Sequence, residues 1–310
     1  MRRTVGLVLI ALGAFLIVLA PLVRFQVSPK LIAAPADYYG ISELTAPGAR
    51  YFSAGDLKVM TGDADITVTT RGDVSQAQGD RVVWDEVMAV NDVTNDNPLI
   101  SLVPRRSAFN KYTGEAVDCC AANIDKKPVK LEGQVYLFPF DVQKKTYRVF
   151  NATAGKAFDA RFVGEENVNG VRAYRFEQDV PKTKTETRTV PASIMGVTDT
   201  TGDIEVDRYY SGRNTFWVEP TTGSPVRQEQ ERHEVLTTQD GAHTITAFDA
   251  TARMTPKTVD ALVSKALDGK SQITLLKVTI PLVLLIVGVV MLVAGILMVI
   301  AGRGRRELTW

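Results

Sequence analysis

Cysteine and histidine are nearly missing from this chain: 310 residues contain two of each. The cysteines, Cys119 and Cys120, are neighbours, so no disulfide between distant parts of the chain holds the fold together. Stability has to come from an ordinary packed core. The histidines, His233 and His243, have no cysteine or carboxylate cluster at a zinc-binding spacing around them. They read as exposed strand residues, and neither a metal nor another cofactor is expected. No phosphate-binding glycine loop, nucleophile elbow or zinc motif is present. The carboxylates Asp85, Glu86, Glu165, Glu166, Glu229, Glu231 and Glu234 lie in strand-like sequence, where such groups are usually solvated rather than paired for acid–base work. The expectation is a non-enzyme. An excess of charge is lacking too: the formal net charge is +1, and Arg2, Arg3, Arg303, Arg305 and Arg306 crowd the two ends, leaving the middle slightly acidic. That balance gives no support to nucleic-acid binding.

Charge vanishes altogether from two long runs. Val278 to Gly302 is 25 residues without a charged side chain. As a helix it would extend about 37 Å, more than the roughly 30 Å of a bilayer's hydrocarbon core. Thr4 to Val23 is a second uncharged run, of 20 residues. A basic start followed by an apolar run also describes a cleaved signal peptide, but the run is long for one, and Pro21 follows its only small-residue end, Val18-Leu19-Ala20. An uncleaved anchor is the preferred reading. Arg2 and Arg3 before the first run, and the Arg-Gly-Arg-Arg sequence after the second, place both termini in the cytoplasm and the rest outside an inner, cytoplasmic membrane. Small residues recur every seven positions in each run: Gly6, Gly13 and Ala20 in the first, and Gly288, Gly295 and Gly302 in the second. That spacing keeps them on one face and suits a closely packed antiparallel helix pair.

Between the anchors, 25–48 is rich in Pro, Ala and Gly and reads as a stalk or irregular start. Short alternating segments follow at 63–70, 81–90, 146–153, 171–180, 203–210, 214–220, 225–236 and 242–254. Turn signals such as Asn169-Gly170, Thr222-Gly223 and Asp240-Gly241 separate several of them. The fold class is mainly β, an antiparallel curved sheet or half-barrel, flanked by two transmembrane helices. One amphipathic helix closes it, opened by Thr255-Pro256 with a stripe of Val259, Leu262, Val263, Ala266 and Leu267. Covering the sheet is preferred over lying on the membrane. The expected division is 1–24 anchor, 25–272 outer domain, 273–302 second anchor and 303–310 basic cytoplasmic tail.

Two local features remain. Outside the cytoplasm Cys119 and Cys120 tend to oxidise, and a vicinal disulfide is the leading reading, ahead of bonds to a second chain, redox sensing or metal binding. Asn151-Ala152-Thr153 has the form of a glycosylation sequon.

The basic start and anchor, VSPKLIAAPAD after it, the central VYLFPFDVQKKTYRVFNAT, VNGVRAYRFEQDVP, TFWVEPTTGSPVRQEQ and the final anchor with its Arg tail together resemble an actinobacterial family of double-anchored membrane proteins labelled PorA-family porins. The resemblance covers essentially the whole chain and implies no catalytic residues. A membrane barrel needs an apolar outward face, whereas Arg175, Glu177, Arg227, Glu229 and Glu231 crowd these strands. A second, partial resemblance rests on Glu166 to Val171 leading into Tyr174, and on Phe216 to Pro220 leading into Ser224-Pro225-Val226-Arg227. These segments are similar to the lipoprotein-carrier superfamily, whose curved sheets hold acyl chains, although the chain has no lipobox cysteine near its start. That resemblance implies a binding protein for a lipid or other apolar envelope molecule, with Trp84, Phe138, Phe140, Phe176, Phe216 and Trp217 as candidate pocket walls. The alternatives are a structural protein docking a partner chain or a second copy through a sheet edge, and a porin-type channel as the family label suggests.

Overall fold

The computed structural model describes residues 2–199 and 202–303. The chain divides into two compact units, one made of residues up to Ala33 and from Asp268 onward, the other of Ala34–Leu267.

The first unit is helical. Helix α1 (Arg2–Leu22) runs through a π-helical turn, Val23–Val27, into the short α2 (Ser28–Leu31). Its counterpart is the end of α3 (Pro256–Thr274), a π-helical turn at Leu275–Thr279, and α4 (Ile280–Arg303). Pro281 explains the second π turn: its ring has no N–H to donate and would strike the carbonyl four residues back in a regular helix. Ser28 Oγ donates to Leu276 O at 2.8 Å, satisfying a carbonyl of the widened turn. Where the helices meet, glycine brings the backbones together. A Cβ built on Gly13 would lie 2.6 Å from Leu292 N and 2.7 Å from Gly288 O, and one on Gly295 would lie 2.7 Å from Gly6 O. Gly6 against Gly295 and Gly13 against Gly288 make the pair antiparallel, and Ala20 is buried as well. The side of the helices away from that seam is apolar and exposed, as at Phe15, Val18, Val290 and Leu297, the composition of a lipid-facing surface. The surroundings of Gly302 and the whole tail from residue 304, with Arg305 and Arg306, lie outside the described residues.

The second unit is an antiparallel sheet. Its strands are β1 (Tyr39–Ser53), β2 (Lys58–Gly72), β3 (Arg81–Asp92), β4 (Asn97–Asn110), β5 (Asn123–Ile124), β6 (Lys127–Pro128), β7 (Tyr147–Asn151), β8 (Lys156–Val168), β9 (Val171–Pro191), β10 (Asp203–Val218), β11 (Pro225–Thr238) and β12 (Thr244–Met254). They run in the order β6-β5-β4-β3-β2-β1-β12-β11-β10-β9-β8-β7. The sheet therefore consists of two meanders joined where the last strand pairs with the first. Its two ends are tied through the β4–β5 and β6–β7 connections: Phe109 on β4 bridges to Ala116, Glu115 to Gln134, and Gln134 to Val149 on β7. Gln134 N–H donates to Arg148 O, and Phe150 N–H to Gln134 O, both at 2.8 Å. The result is a curled half-barrel, as the alternating sequence predicts.

Besides the two-residue β5 and β6, three long strands escape the sequence pattern. The stretch read as a stalk, 25–48, overlaps most of β1, whose Pro47-Gly48 pair sits in a bulge between Ala46 and Ala49. Gly48 has φ +64°, and its N–H donates to Asp63 Oδ1 at 2.8 Å, so the turn-forming pair bends the strand without ending it. β4 carries Pro98 and Pro104, which a strand with few partners on its far side tolerates: β5 pairs with it at only Arg105 and Arg106. β8 follows Gly155 too closely for the period to stand out. The expected segments at 203–210 and 214–220 are joined into β10.

The first turns of α3 cover one border of this sheet. Val259, Val263 and Ala266 are buried against Val168, Val171, Ala173, Trp217 and Val226. Thr255 Oγ1 accepts from Thr258 N–H at 3.2 Å, and Pro256 follows in the first helical position, so the helix starts where capping chemistry predicts. Each valine buried in this way contributes about 1.5–3 kcal/mol.

Candidate functional site

Residues two apart in a strand share a face, and the concave face of this sheet encloses a cavity of about 870 Å³. β11 shows how the two faces differ. Gln228, Gln230, Arg232, Glu234 and Leu236 line the cavity. Arg227, Glu229, Glu231 and His233, on the alternate positions, face away from it, and His233 Nδ1 is 2.7 Å from Asp249 Oδ1. The convex face is charged throughout this region, with ion pairs such as Arg175–Glu177 and Arg227–Glu229, each at 2.5 Å. Such a face cannot lie against hydrocarbon.

Inside, the wall has two characters. Leu44, Tyr51, Val68, Met88, Val90 and Phe248 make one stretch apolar. The other holds a belt of charge. Glu234, 2% exposed, accepts from Arg232 Nη2 and pairs with Arg208 Nη2, both at 2.5 Å. The register creates this triad: Tyr210 stands opposite Glu234, so Arg208, two residues before it, reaches Glu234 on the diagonal. Burial opposes ionisation of Glu234, but the charges of Arg232 and Arg208 outweigh it and hold the carboxyl below the usual carboxylate range. Arg208 also approaches Glu186 at 3.3 Å, which in turn takes Arg188 at 2.5 Å and Lys127 at 2.8 Å. Burial likewise opposes ionisation of Glu186, and its hydrogen bonds from Lys127 and Arg188 lower its pKa nonetheless. Across the cavity Arg105 from β4 lies 3.7 Å from Glu86, with its guanidinium over the rings of Tyr136 and Phe150 at 4.6 and 5.4 Å. Burial pushes the Tyr136 hydroxyl far up, so it stays neutral.

Of the aromatics predicted as pocket walls, Phe138 and Phe216 line the cavity. Phe176 stacks on Phe138 at 4.8 Å behind that wall. Trp84 belongs to a separate cluster, stacked 4.2 Å from Tyr38 with its indole N–H donating to Pro35 O. Trp217 packs under α3 and donates to Glu166 Oε2 at 2.7 Å, and Phe140 is half-buried away from the lining. Asn151 of the sequon is buried; it bonds Tyr210 Oη at 3.3 Å and accepts from Ala154 N–H, so its amide is committed to the fold. Cys119 and Cys120 are joined in a disulfide. Among the described residues no group of three metal-ligating side chains comes together.

The belt is what the sequence reading passed over. Glu234 reads with Glu229 and Glu231 as solvated, yet strand parity separates it from them: 232 and 234 share the face of Gln228, Gln230 and the buried Leu236. The alternation holds from Gln228 to Leu236, but the register shift at Trp217/Val218 breaks it before that, so parity alone does not mark the inward side.

A sequence profile of the family described as "Porin PorA" matches residues 5–297. This chain belongs to that family. A protein named "Porin PorA" from Corynebacterium amycolatum is 26% identical over 299 residues, covering 74% of this chain and 77% of that one. A second, of the same name, from Corynebacterium resistens is 25% identical over 150 residues, or 34% of this chain and 36% of that one. These findings overturn the expectation of a lipid-binding carrier: both family and relatives carry the name of a channel. The charged belt agrees with that correction, since a cavity for acyl chains is predominantly apolar. Membership of the family, together with two helices long and apolar enough to span a bilayer, makes this a membrane protein.

Proposed function

We propose that this chain is a porin-type channel protein whose half-barrel provides a water-filled vestibule for small hydrophilic solutes. The observation that carries the reading is the belt of ion-paired arginines and glutamates facing the cavity. Charged side chains keep such a space wet, whereas an apolar lining would empty it or fill it with lipid. The charged convex face argues that the strands stay outside the hydrocarbon and that the α1 and α4 spans alone cross it. Two close-packed helices enclose no lumen, so the passage through the bilayer is made by several copies of the chain. Antiparallel packing brings Arg2, Arg3 and Arg303 to one side, which the positive-inside rule makes cytoplasmic. The half-barrel then stands on the outer side of the inner membrane.

The test is conductance of the purified full chain in planar lipid bilayers. Stepwise ion currents above the lipid control are expected, with ion preference altered in Arg232→Gln. Absence of currents from a folded, oligomeric sample overturns the reading. Thiol labelling of single cysteines near residues 3 and 267, in a chain lacking Cys119 and Cys120, checks the orientation.

A further inference from the structure

Most of the cavity wall is long strand, laddered on both sides. The hairpin of β5 and β6 is not. It contributes Ile124, Asp125, Lys127, Pro128 and Val129 to the lining, yet only Arg105↔Ile124 and Arg106↔Asn123 pair it with β4. Asp125 N–H adds a bond to Pro104 O at 2.7 Å. At its far end Lys127 reaches Glu186 on β9, at 2.8 Å. Lys127 is 68% exposed, and an ion pair of that kind contributes only about 0–1 kcal/mol. A wall element held by so few bonds belongs to the low-stability end of the structure, where local opening occurs.

The disulfide sits at the base of this hairpin. Cys120 and Ala121 have φ +62° and +54°, two successive non-glycine residues in the left-handed region. Each such residue costs roughly 1–2 kcal/mol in an unconstrained chain. The ring closed by two adjacent cysteines limits the backbone between them, and Arg106 Nε donates to Cys120 O at 3.1 Å, fixing the direction in which the chain enters β5. Arg106 is itself anchored by Asp73 at 2.5 Å and Asp85 at 2.7 Å.

We infer that the β5–β6 hairpin is a redox-controlled flap over the cavity, docked while Cys119 and Cys120 are joined and released when they are reduced. The chemistry is balanced by a dithiol reductant: the Cys119–Cys120 S–S bond breaks, two S–H bonds form, and the two electrons and two protons come from the dithiol, which leaves as a cyclic disulfide. With the ring open, Cys120 and Ala121 relax out of the left-handed region, the Arg106 bond to Cys120 O is lost, and the hairpin retains only its weak attachments. The functional consequence, wider access to the vestibule, rests on the channel reading above; the flap itself does not.

The experiment uses the full chain in detergent, with and without dithiothreitol. These are the only two cysteines, so the reductant acts at one place. Tryptic cleavage after Lys126 should run roughly tenfold faster on reduction, as expected of a segment whose local opening is favoured, and return on reoxidation. The C119S/C120S variant should be fast and indifferent to reductant. Equal cleavage rates in the two states, with both thiols shown alkylated by mass spectrometry, overturn the proposal, as does a disulfide that dithiothreitol fails to open. Conductance recorded on the same samples separates the two readings. Redox-dependent cleavage without current leaves the flap standing and removes the channel, whereas current with unchanged cleavage does the reverse.

Discussion

The helical unit and the sheet unit solve opposite packing problems. Along the helix seam, side chains are removed: glycine at 6, 13, 288 and 295 lets carbonyl oxygens approach positions where a Cβ would collide. Inside the half-barrel, long side chains are kept and charged, and Arg105, Arg208 and Arg232 project into the cavity. The difference follows from solvent. In lipid no hydrophobic force drives helices together, so close backbone contact supplies the attraction. Around the cavity, paired charges hold part of the wall polar, and their value depends on remaining paired.

Breaking a pair inside should therefore cost the most. Glu234→Ala leaves Arg208 and Arg232 facing each other, and a loss of about 3–5 kcal/mol is expected in thermal or denaturant unfolding of the sheet unit. Glu231→Ala, three residues away on the convex face, should stay within about 0.5 kcal/mol. Equal effects would show that the two faces of β11 do not differ as described. Next comes the seam. At Gly13 the colliding atoms are backbone, Leu292 N and Gly288 O, which cannot swing aside. Gly13→Leu should cost the helix pair about 2–4 kcal/mol in SDS titration, whereas Leu12→Ala, at an exposed position, should change little.

A smaller effect is a dependence on pH. Glu234 is depressed in the folded state from the ordinary 4.5. Its contribution is complete above that ordinary value and is lost as pH falls through the lower native one. Melting temperature should therefore fall below about pH 4.5 in the wild type and fall less in Glu234→Gln, measured by circular dichroism across pH 3–7. The smallest effect belongs to the exposed latch: Lys127→Ala should change global stability by less than about 1 kcal/mol while speeding cleavage after Lys126.

The legible parts of the molecule were those with a strong local period. The heptad spacing puts small residues along one face of each span, and the structure has Gly6 against Gly295 and Gly13 against Gly288, where a larger side chain would collide. The stripe of Val259, Val263 and Ala266 on α3 is likewise where the sheet receives it. β1 and β4 were illegible because Pro47-Gly48, Pro98 and Pro104 look like breaks. A bulge and a sparsely paired edge absorb them, and both depend on neighbouring strands. The half-barrel was readable as a class, but its contents were not. Of the six aromatics expected as pocket walls, Phe138 and Phe216 reach the lining, and Glu234, which reads as a solvated carboxylate beside Glu229 and Glu231, is buried inside.

The sequence by itself determined two uncharged spans, their seam of small residues, an antiparallel sheet of alternating strands and the helix that follows it. Each is set by contacts or patterns within a few residues of one segment. Only the tertiary structure decided that β12 pairs with β1, that Gln134 links the two ends of the sheet, and that Arg208, Arg232 and Glu234 meet inside it. Those contacts join residues far apart in the chain or fix which of two faces is concave, and alternation alone makes both faces equal until the sheet curls.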